Sequence, residues 1–388
     1  MGETREKKAS KRSLKLCVGG KKTTGQLVAT PDPASHGVST SATIGPSSPL
    51  PYNPSLVIVK HTPDKGFGLF AARRIREGTL VLAEVPTFRF TSEEEIDDEF
   101  DKRLRQRYDE LPRKSRNGYL KLHNSRKAGY SKLKSIYFSN CYNLESPRSV
   151  HGGSCLGITA SRINHSCVPN VQFSFEEEAP AWLFQSLHYD SSGSEASAPD
   201  SIHSDVTTGP EGVMLFHAIK DIQAGKEIVS NYESVYLLAA GRQLKQQMYY
   251  GFICDCQACD GQKSNNKHWR SSDDRRREMI TCKRLIDRAE VDWKSAQGHQ
   301  RPERGADDIE LTIATLERLA DLLNKEGLRG VELANTYKEL GKWSQGAGDV
   351  EAAKRWGLLE RDTCITAYGA WGRRVNEVYQ RLDGLNRL

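Results

Sequence analysis

Apolar residues follow two regimes along the chain. Between residues 56 and 232 they come in short runs broken by glycine, proline and polar turns; beyond about residue 270 they recur every three or four positions. The first regime predicts a β-rich domain. Leu56-Val57-Ile58-Val59 opens it, and Gly78 to Val85 gives a strand that Pro86 ends. Val171-Gln172-Phe173-Ser174-Phe175 alternates, Val213 to Ile219 resumes the pattern, and Ile222 to Tyr232 gives a turn and another short strand. Within this region Ile96, Phe100, Leu104 and Tyr108 recur every four residues, which predicts a helical insert over about 92–138. Residues 240–250 are also helical by pattern. The second regime predicts helices only, with stripes at Ile309, Ile313, Leu316, Leu319 and Leu323, at Leu333, Tyr337, Leu340 and Trp343, at Ala352, Trp356 and Leu359, and at Val375, Val378, Leu382 and Leu385. The pair over residues 332–367 is spaced like one tetratricopeptide unit; a plain helical bundle fits the same pattern.

Two stretches have no period. Residues 1–54 are rich in Ser, Thr, Pro, Gly and Lys, too poor in apolar surface to offset the entropy of ordering, and read as a disordered basic tail. Residues 176–212 carry eight acids and no Lys or Arg, and read as a disordered acidic loop inserted in the sheet.

Charge changes the picture once it is located. The net charge is +6, and residues 1–22 alone hold eight Lys/Arg against two acids, so the rest of the chain balances. Direct nucleic-acid binding by the folded part thereby loses its simplest support. The tail reads equally as a nuclear-import signal or as a solvated end. No apolar run approaches the roughly 20 residues that cross a bilayer, and no apolar segment follows the basic N-terminus as in a secretory signal. A nuclear or cytoplasmic protein is expected, without a membrane partner, in which the nine cysteines are thiols or metal ligands.

Cys254-Asp255-Cys256-Gln257-Ala258-Cys259 offers three thiolates to one metal, and a closed tetrahedral zinc needs a fourth ligand. Cys167, Cys155, Cys282 and His268 are the candidates. Asp255 and Gln257 between the cysteines argue against a merely buried cluster. Upstream, Ser161-Arg162-Ile163-Asn164-His165-Ser166-Cys167-Val168-Pro169-Asn170 packs amides, an imidazole, a thiol and a proline into ten residues without any helix or strand period. Taken singly, Asn164 and His165 fit a satisfied core pair, Tyr232 an ordinary strand residue and Phe252 plain core.

In order, however, four motifs stand out: Lys65-Gly66-Phe67-Gly68-Leu69-Phe70-Ala71; Arg162-Ile163-Asn164-His165-Ser166-Cys167 with Pro169-Asn170; Gly225, Glu227 and Tyr232; and Tyr250-Gly251-Phe252 followed by Cys254, Cys256 and Cys259. This succession resembles the SET-domain protein lysine methyltransferases. It is most similar to the branch with a split SET domain and a helical C-terminal domain, as in the SET-and-MYND proteins and their fungal relatives, here without the MYND cysteine series.

The resemblance implies an α+β chain. A β-rich SET fold with a pseudoknot and helical insert spans residues 55–235, a cysteine-rich post-SET zinc segment spans 236–262, and an all-helical, TPR-like domain spans 263–388. It implies S-adenosylmethionine as cofactor, contacted by Lys65, Gly66, Phe67, Asn140, Asn164, His165, Tyr250 and Phe252. It also implies a structural zinc held by Cys167, Cys254, Cys256 and Cys259, and Tyr232 as the catalytic residue. The substrate implied is a lysine of a histone or other protein, methylated by a monomeric enzyme. The alternative is a catalytically weak or inactive SET-family scaffold or interaction protein that acts through its helical C-terminal domain. Two positions depart from the family pattern: Lys226, where a second acid is usual, and Glu233-Ser234, where an apolar residue often follows the tyrosine.

Overall fold

The computed structural model describes residues 53–62, 65–144, 152–177, 183, 212–260, 267–296 and 306–387. The predicted disordered tail, apart from residues 53 and 54, and nearly all of the predicted acidic loop lie outside the described residues.

The short apolar runs lie between turn formers, and most of the strands they form have a face to bury, the first (Val57–Thr62) being largely exposed. β1 (Val57–Thr62) and β2 (Gly66–Ala71) make an antiparallel hairpin, with Val57 opposite Ala71 and Thr62 opposite Gly66. β3 (Leu80–Glu84) stops before Pro86, and β4 (Phe88–Phe90) follows. The helical insert comes next: α1 (Ser92–Ile96), α2 (Phe100–Glu110), α3 (Arg113–Leu120) and α4 (Lys132–Asn140). After it come β5 (Tyr142–Asn143), β6 (Ser154–Leu156), β7 (Asn164–His165), β8 (Val171–Glu176), β9 (Val213–Ala218) and β10 (Val229–Ser230). β9 is buried along its whole length and lies between β3 and β8; β6 lies between β4 and β5. β7 and β10 pair in parallel, which brings the Asn164-His165 stretch beside the strand leading to Tyr232.

The four-residue recurrence from Ile96 to Tyr108 predicts a helical insert, and the structure places Ile96 and Phe100 in two separate helices of it. Thr91 and Glu94 form a capping box on α1, and the Asp97 carboxylate accepts from the Glu99 amide at 2.9 Å. That local bond competes with helical pairing and ends α1, so Ile96 is left 85% exposed while Phe100 and Leu104 are buried in α2. The insert has its own core, in which Phe88, Phe90, Phe100 and Tyr137 meet edge to face or tilted.

α5 (Ala239–Lys245) runs into a wider π turn over Gln246–Tyr250, which Gly251 stops with φ 76°. The remaining helices are α6 (Lys267–Ala296), α7 (Ala306–Glu326), α8 (Val331–Gly346), α9 (Val350–Tyr368) and α10 (Arg373–Asn386). Leu319, Leu323, Leu340 and Trp343 pack one core of this region; Val375, Val378 and Leu382 pack another with Cys364 and Tyr368. Ile219, just past β9, belongs to that second cluster and joins the helices to the sheet.

Two outcomes follow from β9. Phe216 is fully buried there, and Phe216→Ala is expected to lower unfolding free energy in urea by about 3–5 kcal/mol. His217, buried beside Gly369, has its pKa pushed down to about 4 by desolvation. The unfolded chain then takes up a proton, near its ordinary pKa of about 6.5, that the native chain refuses. Stability therefore falls as pH falls from about 6.5 towards 4, by up to about 1.4 kcal/mol per unit for this group. Urea midpoints at pH 7 and pH 5 should converge in His217→Gln relative to wild type; an unchanged gap would show that His217 does not contribute.

Candidate active site and metal centre

The stretch from Asn164 to Asn170 is held by the chain around it. The Ser166 amide donates to the Ser230 carbonyl at 2.9 Å, and the Asn170 amide donates to that of Val229 at 3.0 Å. The Asn170 side chain completes the clamp: Nδ2 donates to the Glu227 carbonyl at 2.8 Å and Oδ1 accepts from the Val229 amide at 2.8 Å. On the other side, Asn164 Nδ2 donates to Glu227 Oε1 at 2.7 Å. A Cβ at Gly68 would lie 2.7 Å from that carboxylate oxygen and 2.9 Å from the amide nitrogen. The second glycine of the Gly-Phe-Gly motif is thus explained by close approach, and the first by its φ of 70°.

His165 is 5% exposed and its ring is fully engaged. Nδ1 accepts from the Tyr232 amide at 3.1 Å, which places the proton on Nε2, where Cys167 Sγ lies at 3.3 Å. Gln246 Nε2 faces the same nitrogen at 3.3 Å while its Oε1 is buried without a donor, so a half-turn of that amide would turn its oxygen towards the His165 Nε2–H. Desolvation pushes the His165 pKa down to about 4 and keeps the ring neutral.

The sulfurs of Cys167, Cys254, Cys256 and Cys259 all lie within 4.8 Å of one another. Cys167 Sγ is 3.5 Å from that of Cys259 and 4.0 Å from that of Cys254, far beyond a disulfide bond. A tetrahedral zinc with bonds near 2.3 Å spaces its sulfurs by about 3.8 Å, so this donor set fits one. Of the four fourth-ligand candidates, Cys167 is the one the structure brings to the triplet; Cys155 and Cys282 pack in separate hydrophobic clusters, and His268 lies 3.4 Å from Glu326. Hydrogen bonds within the cluster lower the Cys256 and Cys259 pKa values and raise those of Cys167 and Cys254, so the four sulfurs share their protons as one group. Gln243 clasps the backbone of Cys254 from α5, accepting from its amide at 2.8 Å and donating to its carbonyl at 2.7 Å.

A cavity of about 590 Å³ gathers Lys65, Gly66, Phe67, Asn140, Asn164, His165, Tyr232, Tyr250 and Phe252, every residue proposed from the sequence for cofactor and catalysis. Lys65 joins its two ends by pairing with Asp255 at 2.9 Å and with Glu227 at 3.7 Å. Burial opposes the Lys65 charge, but the Asp255 hydrogen bond and the Glu227 charge outweigh it and raise its pKa. Tyr232, Tyr250 and Phe252 form an aromatic wall, with ring centroids 5.1 Å and 6.2 Å apart in sequence. The Tyr232 hydroxyl donates to the Ile163 carbonyl at 2.6 Å, and desolvation holds its pKa well above the usual phenol value. A second cavity of about 600 Å³ lies against the same wall and shares Asn140, Ser161, Tyr232 and Tyr250 with the first.

Residues 66–233 match the family model of the SET domain. The chain has a SET-domain fold. It is related to "Histone-lysine N-methyltransferase set5" of Schizosaccharomyces pombe, 24% identical over 61% of this chain and 60% of that protein. It is also related to "Histone-lysine N-methyltransferase SET5" of Meyerozyma guilliermondii, 29% identical over 42% of this chain and 26% of that protein. The match to each of these relatives thus spans less than two thirds of the relative's length. A solved SET domain of LSMT bound to lysine and AdoHcy aligns over 86% of this chain at 11% identity with a TM-score of 0.29, too loose a superposition to argue from.

Two residues lining the SET-domain cavity, His123 and Arg162, were not named as site residues from the sequence. His123, from the loop after α3, holds the Tyr250 carbonyl at 2.7 Å, and Asn140 donates to the carbonyls of His123 and Ile136 at 2.8 and 2.7 Å. Arg162 lies over the Phe67 ring at 5.2 Å. Of these two, Arg162 lay within a motif quoted from the sequence and His123 in none. Gly68→Ala tests the floor of the SET-domain cavity. It is expected to destabilise the fold by about 1–3 kcal/mol in urea, because neither Asn164 nor Glu227 can move without breaking their bond. An unchanged midpoint would show that the close approach is relieved at no cost.

Proposed function

We propose that this protein is an S-adenosylmethionine-dependent protein-lysine N-methyltransferase with a structural zinc. The observation that carries the reading is the pair of cavities meeting at Tyr232 and Tyr250. Transfer of a methyl group is an in-line displacement, which needs donor and acceptor on opposite sides of one opening. The cavity lined by Lys65, Gly66, Phe67, Asn140, Asn164, His165, Tyr250 and Phe252 suits the cofactor, and the cavity beyond the wall suits the substrate lysine. Because the His165 ring is already engaged, its backbone is the part left for a ligand.

The cofactor, when bound, supplies an electrophilic methyl on a sulfonium. The residues lining the first cavity would hold it there, and its methyl would pass to the lysine amine as the amine's proton goes to water. For this the lysine must arrive neutral, against a free pKa of about 10.4. The aromatic wall of Tyr232, Tyr250 and Phe252 favours the neutral amine by desolvation. The Tyr232 hydroxyl, kept protonated, stays fixed on the Ile163 carbonyl and presents its oxygen lone pairs to the opening, where they can orient the reacting groups. Cys167, Cys254, Cys256 and Cys259 are proposed to hold zinc, which ties the segment bearing Tyr250 and Phe252 to the Asn164–Asn170 stretch.

The finer placement in the split-SET branch is supported by the helical insert between β4 and β5 and by the helical region after the cysteine cluster. The antiparallel pair α8 and α9 supports one TPR-like unit there. Relatives named for histone-lysine methylation favour a histone lysine as substrate and action in the nucleus.

Two outcomes test this reading. Tyr232→Phe should lower radiolabelled methyl transfer to core histones by roughly 10²–10³-fold while leaving cofactor affinity in calorimetry near wild type. Equal transfer removes Tyr232 from the mechanism, and wild-type protein that binds cofactor but methylates nothing in a lysate supports the scaffold alternative. Zinc should be found at one equivalent, and Cys167→Ser should lose it together with cofactor affinity; a variant that keeps both would dismiss the four-cysteine assignment.

A further inference from the structure

Arg242 and Arg276 are the two bulkiest fully buried side chains among the described residues, each 1% exposed. They approach the cysteine cluster from different helices. From α5, Arg242 donates to the Leu237 carbonyl at 2.6 Å and to the Ala258 carbonyl at 3.0 Å, and its Nη2 lies 3.5 Å from Cys259 Sγ. From α6, Arg276 donates to the Val235 carbonyl at 2.6 Å and to the Cys167 carbonyl at 2.8 Å. Its Nε donates to Glu326 Oε1 at 2.9 Å.

Burying two guanidiniums is costly, and carbonyl acceptors do not require it, because a neutral amide could serve them. Hydrogen-bond completeness does not explain Arg242 either, since its Nε is buried without a partner. Charge does. A divalent metal with four thiolates carries two negative charges in a site where Cys167 and Cys254 are buried. Two guanidiniums neutralise it. Glu326 partly offsets Arg276, and Arg275, at 2.7 Å, balances Glu326 in turn. His268 also faces Glu326, at 3.4 Å, and Asp273 lies 3.6 Å from Arg242 but is 39% exposed, so water screens it.

We propose that Arg242 and Arg276 are positioning residues of the four-cysteine metal centre, whose fixed charges compensate the tetrathiolate around the metal. This rests on the zinc reading above. It also makes the helical region part of the metal centre, because Arg276 lies on the first long helix after the cysteines.

The test is competition for zinc between the full chain and a chromophoric chelator, with metal content and thermal unfolding measured alongside. Arg242→Met and Arg276→Met keep bulk but lose charge, and each should weaken zinc binding by roughly 10–100-fold. Arg242→Lys and Arg276→Lys keep the charge but lose the two-carbonyl fork, and should retain most of the affinity while lowering the melting temperature. Glu326→Gln should lower the melting temperature with zinc affinity undiminished, because it removes an anion that competes for Arg276. A purely structural clamp gives the opposite pattern: Lys variants lose as much zinc affinity as Met variants, and Glu326→Gln loosens zinc too. That pattern, or Met variants that hold zinc like wild type, overturns the proposal. If the Met variants do not fold, the Lys and Gln variants decide. Wild-type protein free of zinc overturns the metal reading itself, a different failure from zinc-loaded wild type with unaffected Met variants.

Discussion

The structure depends on the backbone clamp between residues 164–170 and 227–230. Parallel pairing of β7 with β10, together with the two-point bond from the Asn170 amide, fixes one irregular stretch against the strand that carries Tyr232. Every group around the first cavity is placed relative to this clamp. Asn164 reaches the Gly-Phe-Gly hairpin through Glu227, and His165 reaches both the Tyr232 amide and Cys167. A single neutral imidazole therefore links the tyrosine at the opening to the cysteine cluster. Disturbing either end tilts the same ring.

The rest of the molecule supports that clamp from two sides. The insert contributes its own aromatic core and, through His123 and Asn140, a wall for the cavity. The helical region contributes residues 328–332 to the second cavity and the Arg276–Glu326 pair beneath the cysteines. The SET domain is thus incomplete without its neighbours in the chain: one bounds the cavity proposed for the cofactor, the other the cavity proposed for the substrate lysine.

Much of this was legible in the sequence, for identifiable reasons. Strands such as β9 and helices such as α10 carry their periods openly, and the burial of Val375, Val378, Leu382 and Leu385 follows the stripe. Cys167 could be matched to a triplet 87 residues downstream only through the resemblance, since spacing alone left three other candidates open. Other features were not legible. Arg276 sits in a helix dense with arginines, where periodicity cannot tell which turns inward, and Arg242 in a short helix whose one arginine would be expected to face solvent. His123 and Gln246 act through bonds closed by distant segments. The break at Asp97 came from a side-chain bond that a count of apolar spacing does not register.

The distances along the chain set an order of assembly. β7 needs β10, Cys167 needs residues 254–259, and its carbonyl receives a donor 109 residues further on. Contacts of such long sequence separation form late, after local sheets and helices. A chain emerging from the ribosome therefore passes through a stage in which the hairpins and the insert are built while the cavity still lacks the wall of Tyr250 and Phe252. The Cys167 carbonyl finds its donor only when residue 276 has been made. A truncated translation product ending before it would carry every residue that lines the first cavity but would lack the donor to the Cys167 carbonyl and the far side of the second cavity.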